Sequence, residues 1–226
     1  MKRILAGCLA LGAVLTVHCA AAADLSLAPL YKAPPSLPPQ PYDWSGIYFG
    51  ANGGGGWGHS WWNSSATGIN LSGAQAGGTA GYNFQVGRAV LGVEGDIDWS
   101  GLNGSSTSPG CPAGCSTSNS WLSTVRGRVG YAFDRVMPYV TGGLAVGDLR
   151  AAAPGFAGGS ATNPGWAVGA GLEVALPGNW SAKAEYLRVD LGSFNCTGCG
   201  ALPPDNVSLQ ENVFRAGVNY HFGWGK

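Results

Sequence analysis

From residue 44 onward, apolar and polar side chains alternate with a period of two rather than 3.6, the mark of strands whose two faces meet different surroundings. In residues 121–133 one face carries Val125, Gly127, Val129, Tyr131 and Phe133, and the other Thr124, Arg126, Arg128 and Gly130. In 210–222, Phe214, Ala216, Val218, Tyr220 and Phe222 alternate with Arg215, Gly217, Asn219 and His221. In 165–176, Trp166, Val168, Ala170, Leu172 and Val174 oppose Gly169, Gly171 and Glu173; in 89–99, Leu91, Val93, Ile97 and Trp99 oppose Glu94, Asp96 and Asp98. Weaker alternation runs through 45–58, 73–86, 137–149 and 180–192, and in the last of these Leu187 and Val189 fall on the polar phase. Eight segments of 10 to 15 residues result. A strand crossing a bilayer at a tilt near 45° needs about 9–11 residues, whereas strands of soluble proteins are more often about 5–6 long.

The connections alternate in length. Residues 85–88, 134–136 and 177–179 are tight and carry Gly or Asp for turn conformations. Residues 59–72, 103–118, 150–164 and 193–209 are expected as long polar loops. Short turns at one end and long loops at the other are the pattern of outer-membrane barrels. In hydrocarbon no backbone group and no sheet edge can stay unpaired, so the sheet must close on itself. The predicted fold is therefore all-β: an eight-stranded antiparallel transmembrane up-and-down β-barrel, apolar phase outward and polar phase inward. Aromatic residues gather at strand ends, with Trp57, Trp99, Trp121 and Trp166 toward the long loops and Trp44, Tyr131, Trp180, Tyr220 and Phe222 toward the short turns. Rings with a polar edge favour the headgroup layer, so these are expected as two interfacial belts.

Composition sharpens this picture. The chain has 226 residues with 39 Gly but only 12 Lys+Arg and 12 Asp+Glu. A water-facing surface is normally about 25–35% charged, so a soluble lipocalin-type barrel, which would turn the sparse polar phase outward, is excluded. A net charge of zero argues against a nucleic-acid partner. Lys2 and Arg3, the apolar run 4–17 and Ala21–Ala22–Ala23 have the layout of a secretory signal peptide over residues 1–23. Residues 24–43, with Pro29, Pro34, Pro35, Pro38, Pro39 and Pro41, are expected as an extended periplasmic segment. The barrel is expected over 44–222, followed by a short tail, 223–226.

The inward phase holds Glu94, Asp96, Asp98, Arg126, Arg128, Glu173, Lys183, Glu185 and Arg215. Eight strands leave an interior just wide enough for side chains, and an unpaired buried charge is costly. These residues are expected to form an ion-pair network that plugs the lumen; a narrow channel for small solutes is the alternative. No catalytic set is expected. Beyond the leader only His59 and His221 remain, no Gly-x-Ser-x-Gly elbow occurs, and the glycine run at 53–58 lacks the Lys-Ser/Thr of a phosphate loop. No cofactor and no metal are expected. Cys111, Cys115, Cys196 and Cys199 lie in two long loops of an exported chain, where disulfides are the default. Local pairing is favoured, with cross-pairing and a four-thiolate zinc site as alternatives.

Four blocks carry a family resemblance. They are Asp24-Leu25 with Pro29-Leu30-Tyr31-Lys32-Ala33-Pro34-Pro35; Trp44-Ser45-Gly46-Ile47-Tyr48-Phe49-Gly50-Ala51-Asn52; Pro138-Tyr139-Val140-Thr141-Gly142-Gly143-Leu144-Ala145; and Lys183-Ala184-Glu185-Tyr186-Leu187-Arg188-Val189-Asp190-Leu191-Gly192. In this order they resemble the small outer-membrane proteins of alphaproteobacteria, the porin-family or outer-membrane immunogenic proteins, similar in fold to the OmpA membrane domain. The resemblance implies a non-catalytic barrel in the outer membrane of a Gram-negative cell, in contact with outer-membrane lipid and lipopolysaccharide and inserted by the barrel-assembly machinery. Family chains usually stop at a terminal aromatic; here Phe222 is followed by Gly223-Trp224-Gly225-Lys226. The functions expected are envelope integrity and presentation of surface loops, with adhesion or host recognition through those loops as a further alternative.

Overall fold

The computed structural model describes residues 42–199 and 205–223. The expected signal peptide (1–23), most of the expected periplasmic segment (24–43) and residues 224–226 of the expected tail lie outside the described residues.

Eight strands form the chain: β1 (Gly46–Trp62), β2 (Thr67–Val86), β3 (Ala89–Ser108), β4 (Cys111–Tyr131), β5 (Val136–Ala152), β6 (Gly159–Ala175), β7 (Trp180–Cys196) and β8 (Asp205–Phe222). Each pairs antiparallel with its neighbours in sequence, and β1 pairs with β8 to close the ring. Tight turns at one end place Gly87, Asp134 and Gly178 at positive φ, the left-handed region that Gly and Asp tolerate best.

The strands run 17 to 21 residues, well beyond a bilayer crossing. The long polar loops expected at 59–72, 103–118, 150–164 and 193–209 are thereby corrected: the ladder continues through most of each, and residues 63–66 and 109–110 suffice to join their strands. The physical reason is a second alternation of opposite sense. Ile69, Leu71, Leu102, Leu149, Leu191, Val207 and Leu209 point inward and are buried, while Asn70, Ser72 and Gln210 face outward. In the half nearer the short turns the sense is the reverse. Val125 and Leu144 are 66% and 71% exposed on the outside, and charges lie within. Leu187 and Val189, which looked out of phase in the sequence, are fully buried in the apolar half of the interior.

A register shift between Ser118 and Leu122 moves the inward phase of β4 from odd to even positions. Asp148 of β5 holds that bulge, accepting from the backbone N–H groups of Ser120 and Trp121 at 2.7 and 3.1 Å. A bulge that re-aims side chains in this way is a common device in barrels.

Candidate functional site: the charged interior

The charges converge because the register sets opposite signs side by side. Glu94 stands opposite Arg126 across β3–β4, Glu185 opposite Arg215 across β7–β8, and Glu173 opposite Lys183 across β6–β7. Arg126 is the hub. Its Nη2 donates to Glu94 Oε1 at 2.7 Å and Asp96 Oδ2 at 2.8 Å, and its Nη1 to Glu185 Oε1 at 2.9 Å. Arg215 donates to Asp98 Oδ2 at 2.6 Å, Asp96 Oδ1 at 3.1 Å and Glu185 Oε2 at 2.8 Å. Arg128 donates to Glu173 Oε2 at 2.6 Å and lies 3.5 Å from Glu94 Oε2. Lys183 Nζ reaches Glu94 Oε2 at 3.0 Å rather than the Glu173 opposite it. All nine inward charges singled out in the sequence thus meet in one buried cluster.

Space for these long side chains comes from β1. Its inward positions are largely glycine: a Cβ on Gly54 would fall within 2.9 Å of Arg215 Cβ, and Gly58 lies under Glu211. At these positions β8 approaches β1 closely enough that an added Cβ would meet Arg215 or Glu211.

Several members of the cluster were not singled out in the sequence. Tyr48 donates its hydroxyl to Glu94 Oε2 at 2.8 Å and accepts from Arg128 at 2.9 Å. Tyr139 donates to Glu185 at 3.2 Å, and the Arg128 guanidinium sits 4.1 Å above its ring. Glu211 is fully buried as well. The signal for Tyr48 and Glu211 was parity: Tyr48 shares the phase of Asn52, and Glu211 that of Arg215.

Near the short-turn end, Ser181, His221 and Glu173 come together, the residue types of a hydrolase triad. Ser181 Oγ lies 2.9 Å from His221 Nε2, but it also donates to Glu173 Oε1 at 2.5 Å. Glu173 approaches the same Nε2 at 3.3 Å, so it does not orient the ring from Nδ1 as a triad acid does. The set is an internal hydrogen-bond cluster that also takes in Asn219 and Arg128. His59 lies elsewhere, on the outer face, stacked on Trp61.

On the outside, Trp57, Trp99 and Trp166 are about half exposed or more at the long-hairpin side, and Trp57 approaches Tyr186 with ring centroids 6.3 Å apart. Trp121 lies opposite Trp99 in the register. Toward the short turns Tyr131, Trp180 and Phe222 are exposed, and Tyr220 bridges Trp180 and Phe222 with centroids at 5.2 and 4.8 Å. Trp44 is a correction. It is fully buried among Tyr42, Val90, Ala132, Met137 and Ala175, not in a belt. Its indole donates to Asp134 O at 3.1 Å and its backbone N–H to Gln85 Oε1 at 2.8 Å, which folds it under the barrel mouth against His221. At the other end Trp62 is equally buried, its indole donating to Thr117 at 2.9 Å.

The cysteines pair as Cys111–Cys115 and Cys196–Cys199, with Cα atoms 5.9 and 5.5 Å apart. Each bond closes a short loop within one hairpin. Sulfurs joined in a disulfide are no longer thiolates and so do not ligate zinc, and no group of three or more His, Cys, Asp or Glu placed to hold a metal occurs among the described residues.

A family model described as "Outer membrane protein beta-barrel domain" matches residues 9–222. The 31 kDa outer-membrane immunogenic protein of Brucella melitensis is 35% identical over 218 residues, covering 84% of this chain and 89% of that protein. The 25 kDa outer-membrane immunogenic protein of the same organism is 34% identical over 194 residues, covering 86% of each. Among solved structures, Neisserial surface protein A is similar at 18% identity with a TM-score of 0.46, covering 79% of this chain and 98% of that one.

Proposed function

The chain belongs to the family of outer-membrane protein β-barrel domains of Gram-negative, alphaproteobacterial envelopes, and from that premise we propose that it is a structural element of the outer membrane whose lumen is plugged. One observation carries this reading: Arg126 on β4 and Arg215 on β8 each reach carboxylates on both β3 and β7 and so tie β3, β4, β7 and β8 across the interior. A solute would have to displace buried, mutually neutralised charges, and Trp44 and the apolar layer around Trp62 close the two ends. Sealed in this way, the barrel anchors hairpins beyond the membrane, with lipopolysaccharide against the outer belt. In this reading residues 1–23 direct export, residues 24–43 are a periplasmic segment, and the barrel-assembly machinery inserts the strands.

Planar-bilayer recording of the purified barrel tests the plug; regular, sustained conductance steps would overturn it in favour of a narrow pore. A deletion strain tests the role. Detergent sensitivity is expected, and lost attachment to a host surface with unchanged detergent resistance would assign the protein to surface recognition instead.

A further inference from the structure

Among the cations carried by the strands, Arg126, Arg128, Arg150, Lys183 and Arg215 each meet a carboxylate. Arg188 does not. It points outward from β7, between the inward and fully buried Leu187 and Val189, and is itself partly buried. Its Nη1 donates to Asn212 Oδ1 at 3.2 Å and its Nη2 to Gln210 Oε1 at 2.7 Å, both of them neutral amides on β8. Tyr186 donates its hydroxyl to the same Asn212 oxygen at 2.7 Å, so that amide is held from two sides. Asp190, one outward position further along β7, is engaged elsewhere: its Oδ1 accepts from the Gly192 N–H at 2.8 Å and its Oδ2 from Gln210 at 2.9 Å. The guanidinium is therefore fixed in place while no carboxylate among the described residues answers its charge. Arg188 Nε and the Asn212 amide nitrogen likewise have no acceptor among these residues.

The register puts this group in the aromatic belt on the long-hairpin side. Arg188 stands opposite Asn212, and Asn212 opposite Trp57 on β1. Trp166 of β6 pairs with Asp190, one outward position nearer the hairpins, and Val168 pairs with Arg188 itself. Toward the short turns the outer surface turns apolar at once, through Ala170, Ala184, Phe214 and Ala216, all exposed. Charge at the edge of hydrocarbon is disfavoured unless it meets a counter-charge. Glu211, by contrast, is an inward acid that no base reaches among the described residues, but it is closed off from lipid and water alike. Arg188 faces the membrane.

We propose that Arg188, with the amide nitrogen of Asn212, binds a phosphate group of lipopolysaccharide in the outer leaflet, the acyl chains of that lipid lying along the apolar strip beside it. A guanidinium presents a planar fork of donors that matches phosphate oxygens, and its hydrogen bonds to an anion are stronger than those to neutral amides. Because Asn212 and Gln210 hold the side chain before the lipid arrives, little rotamer freedom is lost on binding. The ring faces of Trp57 and Tyr186, with centroids 6.3 Å apart, flank the same spot at headgroup level. The choice of leaflet rests on the reading above that sets the long hairpins outside the cell; the plug of the lumen plays no part in it.

The test uses the mature chain refolded from denaturant into detergent free of lipopolysaccharide, its folded fraction identified by heat-modifiable gel migration. Native mass spectrometry follows titration with bisphosphorylated lipid A, with dephosphorylated lipid A, with phosphatidylglycerol and with inorganic phosphate. One lipid A per barrel is expected to bind at least about tenfold more tightly than any of the other three. Arg188→Gln is expected to fold and to lose that preference, whereas Arg150→Gln, which removes an outward cation already paired with Asp148, keeps it. Asn212→Asp supplies Arg188 with a carboxylate of its own and is expected to lose the preference with the arginine still present; should Arg188→Gln fail to fold, this variant decides. Preference retained in Arg188→Gln or Asn212→Asp would overturn the site. So would equal binding of dephosphorylated lipid A, of phosphatidylglycerol or of inorganic phosphate, the last assigning Arg188 to a free anion. An epitope inserted after Gly155, at a hairpin tip, is expected to be detected on intact cells; detection only after permeabilisation would overturn the outside placement of the hairpins, separately from the binding measured in detergent.

Discussion

Arg126 on β4 and Glu185 on β7 meet across the interior, Nη1 to Oε1 at 2.9 Å, although their strands stand three places apart in the ring. A bond of this kind cannot form within a hairpin. It forms only when the sheet is closed, so it links the charge chemistry of the interior to the integrity of the whole cylinder.

Arg126→Met is expected to strip Glu94, Asp96 and Glu185 of their shared partner. Breaking a buried pair by removing one member costs about 3–5 kcal/mol, because the remaining charge stays buried without compensation. Reversible urea unfolding from lipid vesicles measures this. A loss below about 1 kcal/mol would mean that water reaches the carboxylates.

On the lipid face, Val125→Arg and Leu144→Lys are expected to destabilise the folded barrel by about 2–4 kcal/mol in vesicles. The same substitutions at outward positions of the long hairpins, such as Asn70→Arg or Ser72→Lys, should cost nearly nothing, since that surface faces water. Equal costs at the two levels would refute the reversal of polarity along the strands.

Trp44→Ala is expected to remove the stopper at the short-turn end and to cost about 3–5 kcal/mol, the range for deleting a buried aromatic side chain. In a bilayer the variant should pass small ions more readily than the parent. Unchanged stability together with unchanged conductance would show that Trp44 does not seal the mouth.

Replacing Cys111 and Cys115 by serine, or reducing both disulfides, is expected to leave heat-modifiable migration intact. The closed loops are short, with sequence separations of 4 and 3, so loop-closure entropy predicts about 2 kcal/mol each, felt at the hairpin tips. Loss of the folded band on reduction would show that the tips nucleate the barrel.

Much of the fold was legible because strand parity reports which face meets lipid. Val125 and Arg126 could only belong to opposite faces, and the tight turns stood out through Gly87, Asp134 and Gly178. The long hairpins were not legible as strands, because their polar residues suggested loops while Ile69, Leu71, Val207 and Leu209 were serving an interior of the opposite polarity. Trp44 was misplaced for a related reason. An indole at a strand end suits a headgroup layer and a barrel floor equally, and only its contacts with Asp134 and Gln85 distinguish them. Glu211 had the parity of Arg215, but its isolation from any base depends on which side chains reach across the ring, and no single strand encodes that.

The exchange of polarity along the strands fixes the protein vertically. Raising the cylinder would draw Val125 and Leu144 out of hydrocarbon, and lowering it would force Asn70, Ser72 and Gln210 into it. Each displacement is opposed from its own direction, so the protein has no neutral position to which it can slide.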